Sequence, residues 1–203
     1  NKADLTITVT DQSYTYNGEA QGEDNETYTE GLDSKITVTG LVGGDTISSI
    51  KLDGNETNAG EYAGKIVASN AEVSFNHTTD KTLTDNYNVE YVAGKLTITK
   101  RNITVSIVGN TDTVTYNGAE QHLDGYTATS TDALFDADKI VEAAKARAKG
   151  TDAGEYSMNL NASNFSYNDD NLTVLFTIVS DGKLTINKAD LTITVTDQSY
   201  TYN

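Results

Sequence analysis

The chain has 203 residues, carries a formal net charge of −16 and contains no cysteine, proline or tryptophan. The absence of cysteine excludes disulfide bonds and zinc sites built from thiolates. An acidic chain is poorly suited to nucleic acids and anionic membranes, and no stretch approaches the roughly 18 apolar residues that span a bilayer. We therefore expect no nucleic-acid partner and no membrane insertion.

The opening residues alternate apolar and polar side chains with a period of two. Leu5, Ile7 and Val9 are separated by threonines, as in a strand with one buried and one solvated face. Further strands are predicted at 35–42, 47–52, 61–68, 87–92, 96–98, 103–107, 156–162, 172–179 and 184–186. Many short strands with frequent turn signals indicate an all-β chain. The apolar positions of the alternating pattern predict the core residues, which are Leu5, Ile7, Val9, Ile36, Val38, Ile66, Leu96 and Ile98 in the first half and Ile103, Val105, Ile107, Leu160, Leu184 and Ile186 in the second.

Glycine-containing dipeptides predict the turns. Asn-Gly occurs at 17–18 and 117–118, and Asp-Gly occurs at 53–54, 124–125 and 181–182. Glycine adopts positive φ without strain, and Asn and Asp tolerate it better than most residues. Each of these dipeptides is therefore predicted to form a turn.

One segment, residues 132–149, has two interpretations. It is rich in Ala, Lys and Glu, and it could form one longer helix capped by Thr131. However, Ala144, Ala146 and Ala148 alternate with charged residues, which is the period of a strand. We favour a short helical turn near 132–137 followed by a strand at about 140–149.

The sequence repeats itself at two levels. Residues 1–17 and 187–203 are identical, both reading NKADLTITVTDQSYTYN. A weaker repeat lies between them, with the same markers in the same order: TYNG at 15–18 and 115–118, NAGEY or DAGEY at 58–62 and 152–156, and GKLTI at 94–98 and 182–186. This order predicts two diverged modules, residues 1–99 and 100–186, and the first strand of a truncated third module at 187–203.

The modules are predicted to be elongated and to lie end to end. Between Ile98 and Ile103 the chain has no Gly, Ser or Pro spacer, which predicts a short and stiff junction. An immunoglobulin-like sandwich is the favoured fold of each module. A β-grasp-like module with one short helix is the alternative.

Few residues suggest chemistry. His77 and His122 are the only histidines, lie at different places in the two modules and have no HxH or HExxH spacing, so neither metal binding nor base catalysis is indicated. No Ser/His/Asp or paired-carboxylate arrangement stands out either. We predict no catalytic, cofactor-binding or metal-binding residue, and no cofactor.

Three weaker interpretations remain. The acidic runs at 53–56 and 169–171 offer oxygen ligands for calcium, but they do not follow the D-x-[DN]-x-[DN]-G template. Lys2 and Lys100, which open the modules, could form isopeptide cross-links. Tyrosines could stack on sugars or simply pack in strands, and the set comprises Tyr14, Tyr16, Tyr28, Tyr87, Tyr91, Tyr126 and Tyr167.

The ordered motifs resemble a known group of repeats. TYNG at 15–18, GLVGGDTISSI at 40–50, NAGEY at 58–62 and NYNVEYVAGKLTITK at 86–100 resemble the MBG/YDG-type repeats of large bacterial surface proteins. Residues 149–171 and GKLTINK extend the resemblance over nearly the whole chain. It implies β-rich, extracellular modules in adhesin-like stalks at the bacterial cell surface, without catalytic residues. The prolines usual in that family are absent here.

Two functions follow from these observations. The first is a non-catalytic structural spacer in the stalk of a surface adhesin, in contact with neighbouring repeats of the same chain. The second is a glycan- or host-protein-binding module repeated along a surface protein. The identical 17-residue stretch favours the spacer, because arrays grow by duplication when length is useful. A concave, tyrosine-lined pocket in both modules would favour binding.

Overall fold

The structure is a computed structural model, and it describes residues 1–75 and 83–202. Within these residues helical structure is limited to 3-10 turns of three residues each, at Leu32–Ser34, Thr84–Asn86, Ala137–Lys139 and Ala162–Asn164. Strands dominate the rest, which confirms the predicted all-β class. The described residues contain no α-helix of the kind that the β-grasp alternative requires, and no helix in them is long and apolar enough to cross a membrane.

The chain divides into two compact units. The first comprises Asn1–Asn102 with Asp169–Thr173, and the second comprises Ile103–Asn168 with Val174–Asn203. In each unit the alternating sequence pattern supplies one apolar face per strand, and burial of those faces is the main favourable term in folding.

The first half of the chain forms two sheets. Its strands are β1 (Ala3–Val9), β2 (Gln12–Thr15), β3 (Gln21–Tyr28), β4 (Ile36–Thr39), β5 (Asp45–Glu56), β6 (Gly60–Phe75), β7 (Tyr87–Val92) and β8 (Gly94–Thr99). One sheet has the order β4-β1-β7, and the other has the order β2-β8-β6-β5-β3. Both sheets contribute to one hydrophobic core, as in layered β architectures.

The predicted core residues of the first unit are confirmed with one partial exception. Val38 is only partly buried against the core. The others are buried, and they are Leu5, Ile7, Val9, Ile36, Ile66, Leu96 and Ile98. Period-two alternation was sufficient to find these residues, because successive side chains of a strand point to opposite faces.

Shortening one buried side chain in the last strand of either half should destabilise the unit to which that strand belongs. Ile98 and Ile186 are each 2% exposed, so replacing either with alanine leaves a cavity and should cost about 2–5 kcal/mol. Ile193→Ala is the matched control, because Ile193 is 79% exposed and its truncation should change little. Urea unfolding would measure the loss of stability, and hydrogen exchange would show which unit is affected. Unchanged stability in both core variants would contradict the assignment of these isoleucines to the buried faces of their strands.

The second half of the chain forms smaller sheets. Its strands are β9 (Arg101–Gly109), β10 (Thr111–Thr115), β11 (Gln121–Asp124), β12 (Tyr126–Thr129), β13 (Ile140–Glu142), β14 (Arg147–Gly150), β15 (Gly154–Ser157), β16 (Phe165–Tyr167), β17 (Leu172–Ser180) and β18 (Lys183–Asn187). The sheet orders are β12-β9-β17, β10-β18-β15, β11-β14 and β13-β16. Of the predicted core residues here, Leu160 is only partly buried, and the buried ones are Ile103, Val105, Ile107, Leu184 and Ile186.

Residues 132–149 do not form one longer helix. A 3-10 turn lies at Ala137–Lys139, where the Asp136 side chain accepts a hydrogen bond from the amide of Asp138, slightly later than the predicted turn at 132–137. The predicted strand is split into β13 and β14. Ala146 and Ala148 are buried, which shows that alternation outweighed the helix propensity of alanine.

Asn-Gly was a reliable turn signal, but Asp-Gly was not always one. Gly18 and Gly118 follow β2 and β10 with φ of 88° and 80°, as such turns require. The predicted turn at Asp53–Gly54 is wrong, because both residues lie inside β5. Gly54 has φ 128° there, and a Cβ on it would lie 2.1 Å from the carbonyl oxygen of Lys65. Gly54 is needed because the backbones of β5 and β6 approach each other closely at this point, and not because the chain reverses direction.

Within the described residues, the second copy of the repeated segment forms no strand after Asn187, where β18 ends. Residues 188–202 have no regular secondary structure and are exposed. Leu191, Ile193 and Val195 are 84%, 79% and 84% exposed, whereas the identical Leu5, Ile7 and Val9 are 0–2% exposed in β1. The same sequence is therefore found in a buried and in an exposed environment.

Candidate functional site: parallel strand pairs and a buried ion pair

In the first unit, an early strand pairs in parallel with the last strand. β2 lies beside β8, with Gln12 opposite Leu96 and Thr15 opposite Thr99. The ladder continues beyond the strand, because the amide of Tyr16 donates to the carbonyl of Thr99 at 2.9 Å. On its other side β8 pairs antiparallel with β6, which starts in the NAGEY marker.

The second unit contains the same arrangement. β10 pairs in parallel with β18, with Thr111 opposite Lys183 and Thr115 opposite Asn187. The amide of Tyr116 donates to the carbonyl of Asn187 at 2.9 Å. β15, which starts in the DAGEY marker, pairs antiparallel with the other edge of β18. The three repeated sequence markers thus meet at one three-stranded array in each unit, a convergence that their order along the chain did not reveal.

This pairing has a mechanical consequence. In a parallel pair the start of one strand and the end of the other lie at opposite ends of the ladder. Tension applied at Gln12 and Thr99, or at Thr111 and Asn187, would pull the two strands along their length in opposite directions. The hydrogen bonds of the ladder would then share the load instead of opening one after another.

A buried ion pair lies at the edge of the first unit's larger sheet. The carboxylate of Glu23 is 4% exposed and accepts hydrogen bonds from Gln12 Nε2 at 2.7 Å, from Lys35 Nζ at 2.9 Å and from the Tyr28 hydroxyl at 2.5 Å. The Lys35 ammonium also lies 3.8 Å from the centre of the Tyr28 ring, within cation–π distance. The cluster ties β2 and β3 to the chain that precedes β4.

The protonation of this cluster follows from its contacts. Burial acts to raise the pKa of Glu23, but the hydrogen bonds from Tyr28, Lys35 and Gln12 outweigh it, so the pKa is lowered from its ordinary value of 4.5. The hydrogen bond to Glu23, together with burial, raises the pKa of Tyr28. Glu23 is therefore ionised at neutral pH and paired with Lys35. Sequence reasoning missed it, because it lies in an acidic run without apolar alternation.

The tyrosines considered for sugar stacking take part in packing. Tyr14, Tyr16 and Tyr28 lie against the core of the first unit. Tyr87 is 3% exposed, donates to Asp45 at 2.7 Å and accepts from the amide of Val42. The other members of the set also have defined contacts, namely Tyr91 with the amide of Ala71, Tyr126 with Phe165, and Tyr167 with Phe135 and Asp136.

The remaining sequence candidates are not brought together. His77 lies outside the described residues, and the exposed His122 has Nε2 4.0 Å from an Asp124 oxygen. In residues 1–75 and 83–202 no group of three or more His, Cys, Asp or Glu could hold a metal ion. Lys2 and Lys100, considered for cross-links, are exposed.

Each of the acidic runs has local partners. Glu56 pairs with Lys65 at 2.6 Å, on the rim of the β5–β6 pair. The carboxylate of Asp169 accepts a hydrogen bond from the amide of Asn171 at 2.9 Å, which is the geometry of an Asx turn. The first run is thus the end of a strand, and the second forms a turn.

A cleft of about 750 Å³ opens beside β4 in the first unit. Its walls are mixed, with Val38, Leu41 and Ile47 on the apolar side and Thr37 and Thr46 among the polar groups. Its volume is in the range of small-molecule sites. It is not the tyrosine-lined pocket that the binding hypothesis predicts, since no tyrosine is among its lining residues.

The fold and its strand pairs were compared with known proteins. A scan against protein-family models, a search of curated proteins and a search of solved structures each found no match. The resemblance to MBG/YDG-type repeats therefore stays a prediction from the sequence. What the geometry establishes is an all-β chain of two units, each with its last strand held in a parallel pair by an early strand.

Proposed function

We propose that this chain is a non-catalytic structural spacer, part of a stalk that carries tension at a bacterial cell surface. The observation that supports this most is the parallel pairing of β2 with β8 and of β10 with β18. Both pairs join an early strand to the last strand, so a pull along the chain loads them in shear. The resemblance to surface-protein repeats is the basis for the proposed location.

Two further observations agree with a load-bearing role. Only Lys100 separates β8 from β9, so the chain has no flexible spacer after β8 that could absorb extension. The Glu23–Lys35 pair adds charge-assisted hydrogen bonds beside β2, and such bonds are stronger than neutral ones. The net charge of −16 also opposes non-specific association between copies.

Single-molecule stretching tests the proposal. The chain has no cysteine, so introduced cysteines would be its only attachment points. Thr111→Cys with Asn187→Cys would load the β10–β18 ladder in shear. Thr111→Cys with Lys183→Cys is the matched control, because these residues are opposite each other in the register and pulling there opens the bonds in sequence. We expect a higher unfolding force in the shear geometry, since forced unfolding follows the unfolding barrier. Equal forces in both geometries would contradict a tension-bearing role.

A binding module is the second candidate, and the cleft beside β4 is the observation in its favour. A glycan-array screen of the whole chain would test it. Thr37 is exposed and lines the cleft, so Thr37→Arg should fill the opening without disturbing the core. Binding that is lost in Thr37→Arg would favour the module, whereas no binding by the wild-type chain would leave the spacer as the better proposal.

A further inference from the structure

Two nitrogens of different chemistry meet on one oxygen of the buried Glu23. Its Oε1 accepts from the side-chain amide nitrogen of Gln12 at 2.7 Å and from Nζ of Lys35 at 2.9 Å. One nitrogen belongs to a primary amide and the other to a primary amine, and a carboxylate that is 4% exposed holds them side by side. Charge pairing accounts for Lys35, but it does not require an amide at Gln12.

The carbonyl group of the Gln12 amide is also held by a hydrogen-bond donor. The Tyr14 hydroxyl donates to Gln12 Oε1 at 2.9 Å, and residues two apart lie on the same face of a strand. A donor on a carbonyl oxygen stabilises the negative charge that develops there when a nucleophile adds to the carbonyl carbon. The amide thus has an amine, a carboxylate and an oxyanion donor around it.

These contacts join distant parts of the first unit. Gln12 lies in β2 and Glu23 in β3, which are the opposite edge strands of the sheet β2-β8-β6-β5-β3. Lys35 directly precedes β4 of the other sheet. Tyr28 holds the group together, because its hydroxyl donates to Oε2 of Glu23 at 2.5 Å and its ring centre lies 3.8 Å from the Lys35 amine.

We propose that Lys35 and Gln12 form an intramolecular isopeptide bond, with Glu23 as the group that transfers the proton. The neutral Lys35 amine attacks Cδ of Gln12, and a bond forms between Nζ and Cδ. Oε1 of Glu23 takes a proton from Nζ and gives it to Nε2 of Gln12, the bond between Cδ and Nε2 breaks, and ammonia leaves. One amine and one primary amide become one secondary amide and one ammonia, so no oxidant, cofactor or second substrate is needed.

The ion pair is the resting state that precedes this reaction. A protonated lysine is not a nucleophile, and lysine side chains are mostly protonated below about pH 10, so the bond should form slowly at neutral pH and faster at pH 9. Lys35 is 26% exposed, so its proton can pass to solvent. The ionisable groups that face it are Glu23 and Tyr28, and the Tyr28 hydroxyl also lies 3.4 Å from Glu26. The hydrogen bond to Glu23, together with burial, raises the pKa of Tyr28, so this hydroxyl remains a donor at pH 9.

The bond has a mechanical consequence. It closes a loop of residues 12–35 and fixes β2 to the start of β4. Tension on β2 then acts on a covalent bond as well as on the hydrogen bonds between β2 and β8. The inference does not rest on the spacer role, since the release of ammonia is measured without any applied force.

Mass spectrometry of the full chain tests the inference. After several days at pH 9 the wild-type chain should be lighter by the mass of one ammonia. Cyclisation of the side chain at Asn17-Gly18 would release ammonia too, so the chain is also digested with a protease that cleaves after glutamate. Glu19 and Glu30 lie between Gln12 and Lys35. The peptides that contain these two residues should separate in the unmodified chain and stay joined in the cross-linked chain.

Lys35→Arg is the matched control. The guanidinium keeps the positive charge and the hydrogen-bond donors that face Glu23, but it does not lose its proton, so no joined peptides should form. Glu23→Gln removes the proton acceptor and should slow the reaction about 10²–10⁴-fold. Tyr14→Phe removes only the oxyanion donor and should slow it at least about 10-fold.

The fold itself provides a further control. Wild-type chain unfolded in guanidinium chloride at pH 9 should form no joined peptides, because only the folded chain brings Gln12, Glu23 and Lys35 together. Amide protection in β6 and β8 identifies the variants that are folded, and the rate of Tyr14→Phe decides if Glu23→Gln is not. Folded wild-type chain without joined peptides would overturn the inference, and so would a folded Glu23→Gln or Tyr14→Phe chain that reacts as fast as the wild type.

Discussion

Lys35→Met should lower the free energy of unfolding of the first unit by about 3–5 kcal/mol at neutral pH, because it leaves the carboxylate of Glu23 buried without its counter-charge. Glu23 is 4% exposed and Lys35 Nζ lies 2.9 Å from it. Lys183→Met is the matched control. Lys183 pairs with Glu155 at 2.8 Å at an exposed site, so its loss should cost less than about 1 kcal/mol. Urea unfolding with hydrogen exchange would assign each loss to its unit.

The size of the Lys35→Met effect should depend on pH, with a defined sign. In the wild type the pKa of Glu23 is lowered below 4.5, so its contribution to stability is present above that value and is lost as pH falls through the folded pKa. In the variant, burial is opposed by fewer hydrogen bonds, and the pKa should rise. The difference between wild type and variant should therefore shrink as pH falls, because a protonated Glu23 needs no counter-charge.

Glu23→Gln combined with Lys35→Met completes the test. Gln12 and Tyr28 donate to different oxygens of Glu23. In the neutral amide the single oxygen can accept from Gln12, and the NH2 group can donate to the Tyr28 hydroxyl, which also acts as an acceptor. The double variant should therefore recover much of the stability lost in Lys35→Met. A Lys35→Met loss that does not change with pH, and that the second substitution does not reduce, would mean that only the packing of the lysine side chain matters.

Gly54→Ala should destabilise the first unit by about 2–6 kcal/mol, the sum of about 1–3 for backbone strain and about 1–3 for overpacking. Gly54 lies inside β5 with φ 128°, and a Cβ there would lie 2.1 Å from the Lys65 carbonyl oxygen. That oxygen belongs to the backbone of β6, so no side chain can move away to relieve the contact.

Gly43→Ala separates the two contributions. Gly43 has φ 64°, but nothing lies within 4 Å of the position that its Cβ would occupy. Its substitution should cost only the strain of a left-handed residue, about 1–2 kcal/mol. Equal losses in the two variants, measured by thermal unfolding, would show that the close approach of β5 and β6 is unimportant.

The strand positions followed from local pattern. The alternation at Leu5, Ile7 and Val9 predicted β1 and its buried face, and the two Asn-Gly turns have the positive φ expected of them. These features depend on neighbours in the sequence, since a strand's two faces alternate residue by residue. The same local reasoning misplaced Gly54, because a backbone contact between two strands leaves no sign in the residues beside it.

The sequence by itself determined the all-β class and most of the core, and it showed that residues 1–17 and 187–203 are the same. Only the tertiary structure decided which strands are partners. It brought β2 beside β8 and Glu23 beside Lys35, contacts between residues that are distant along the chain. The physical reason is that a strand has unpaired backbone groups on both edges, and its own sequence does not specify which neighbours satisfy them.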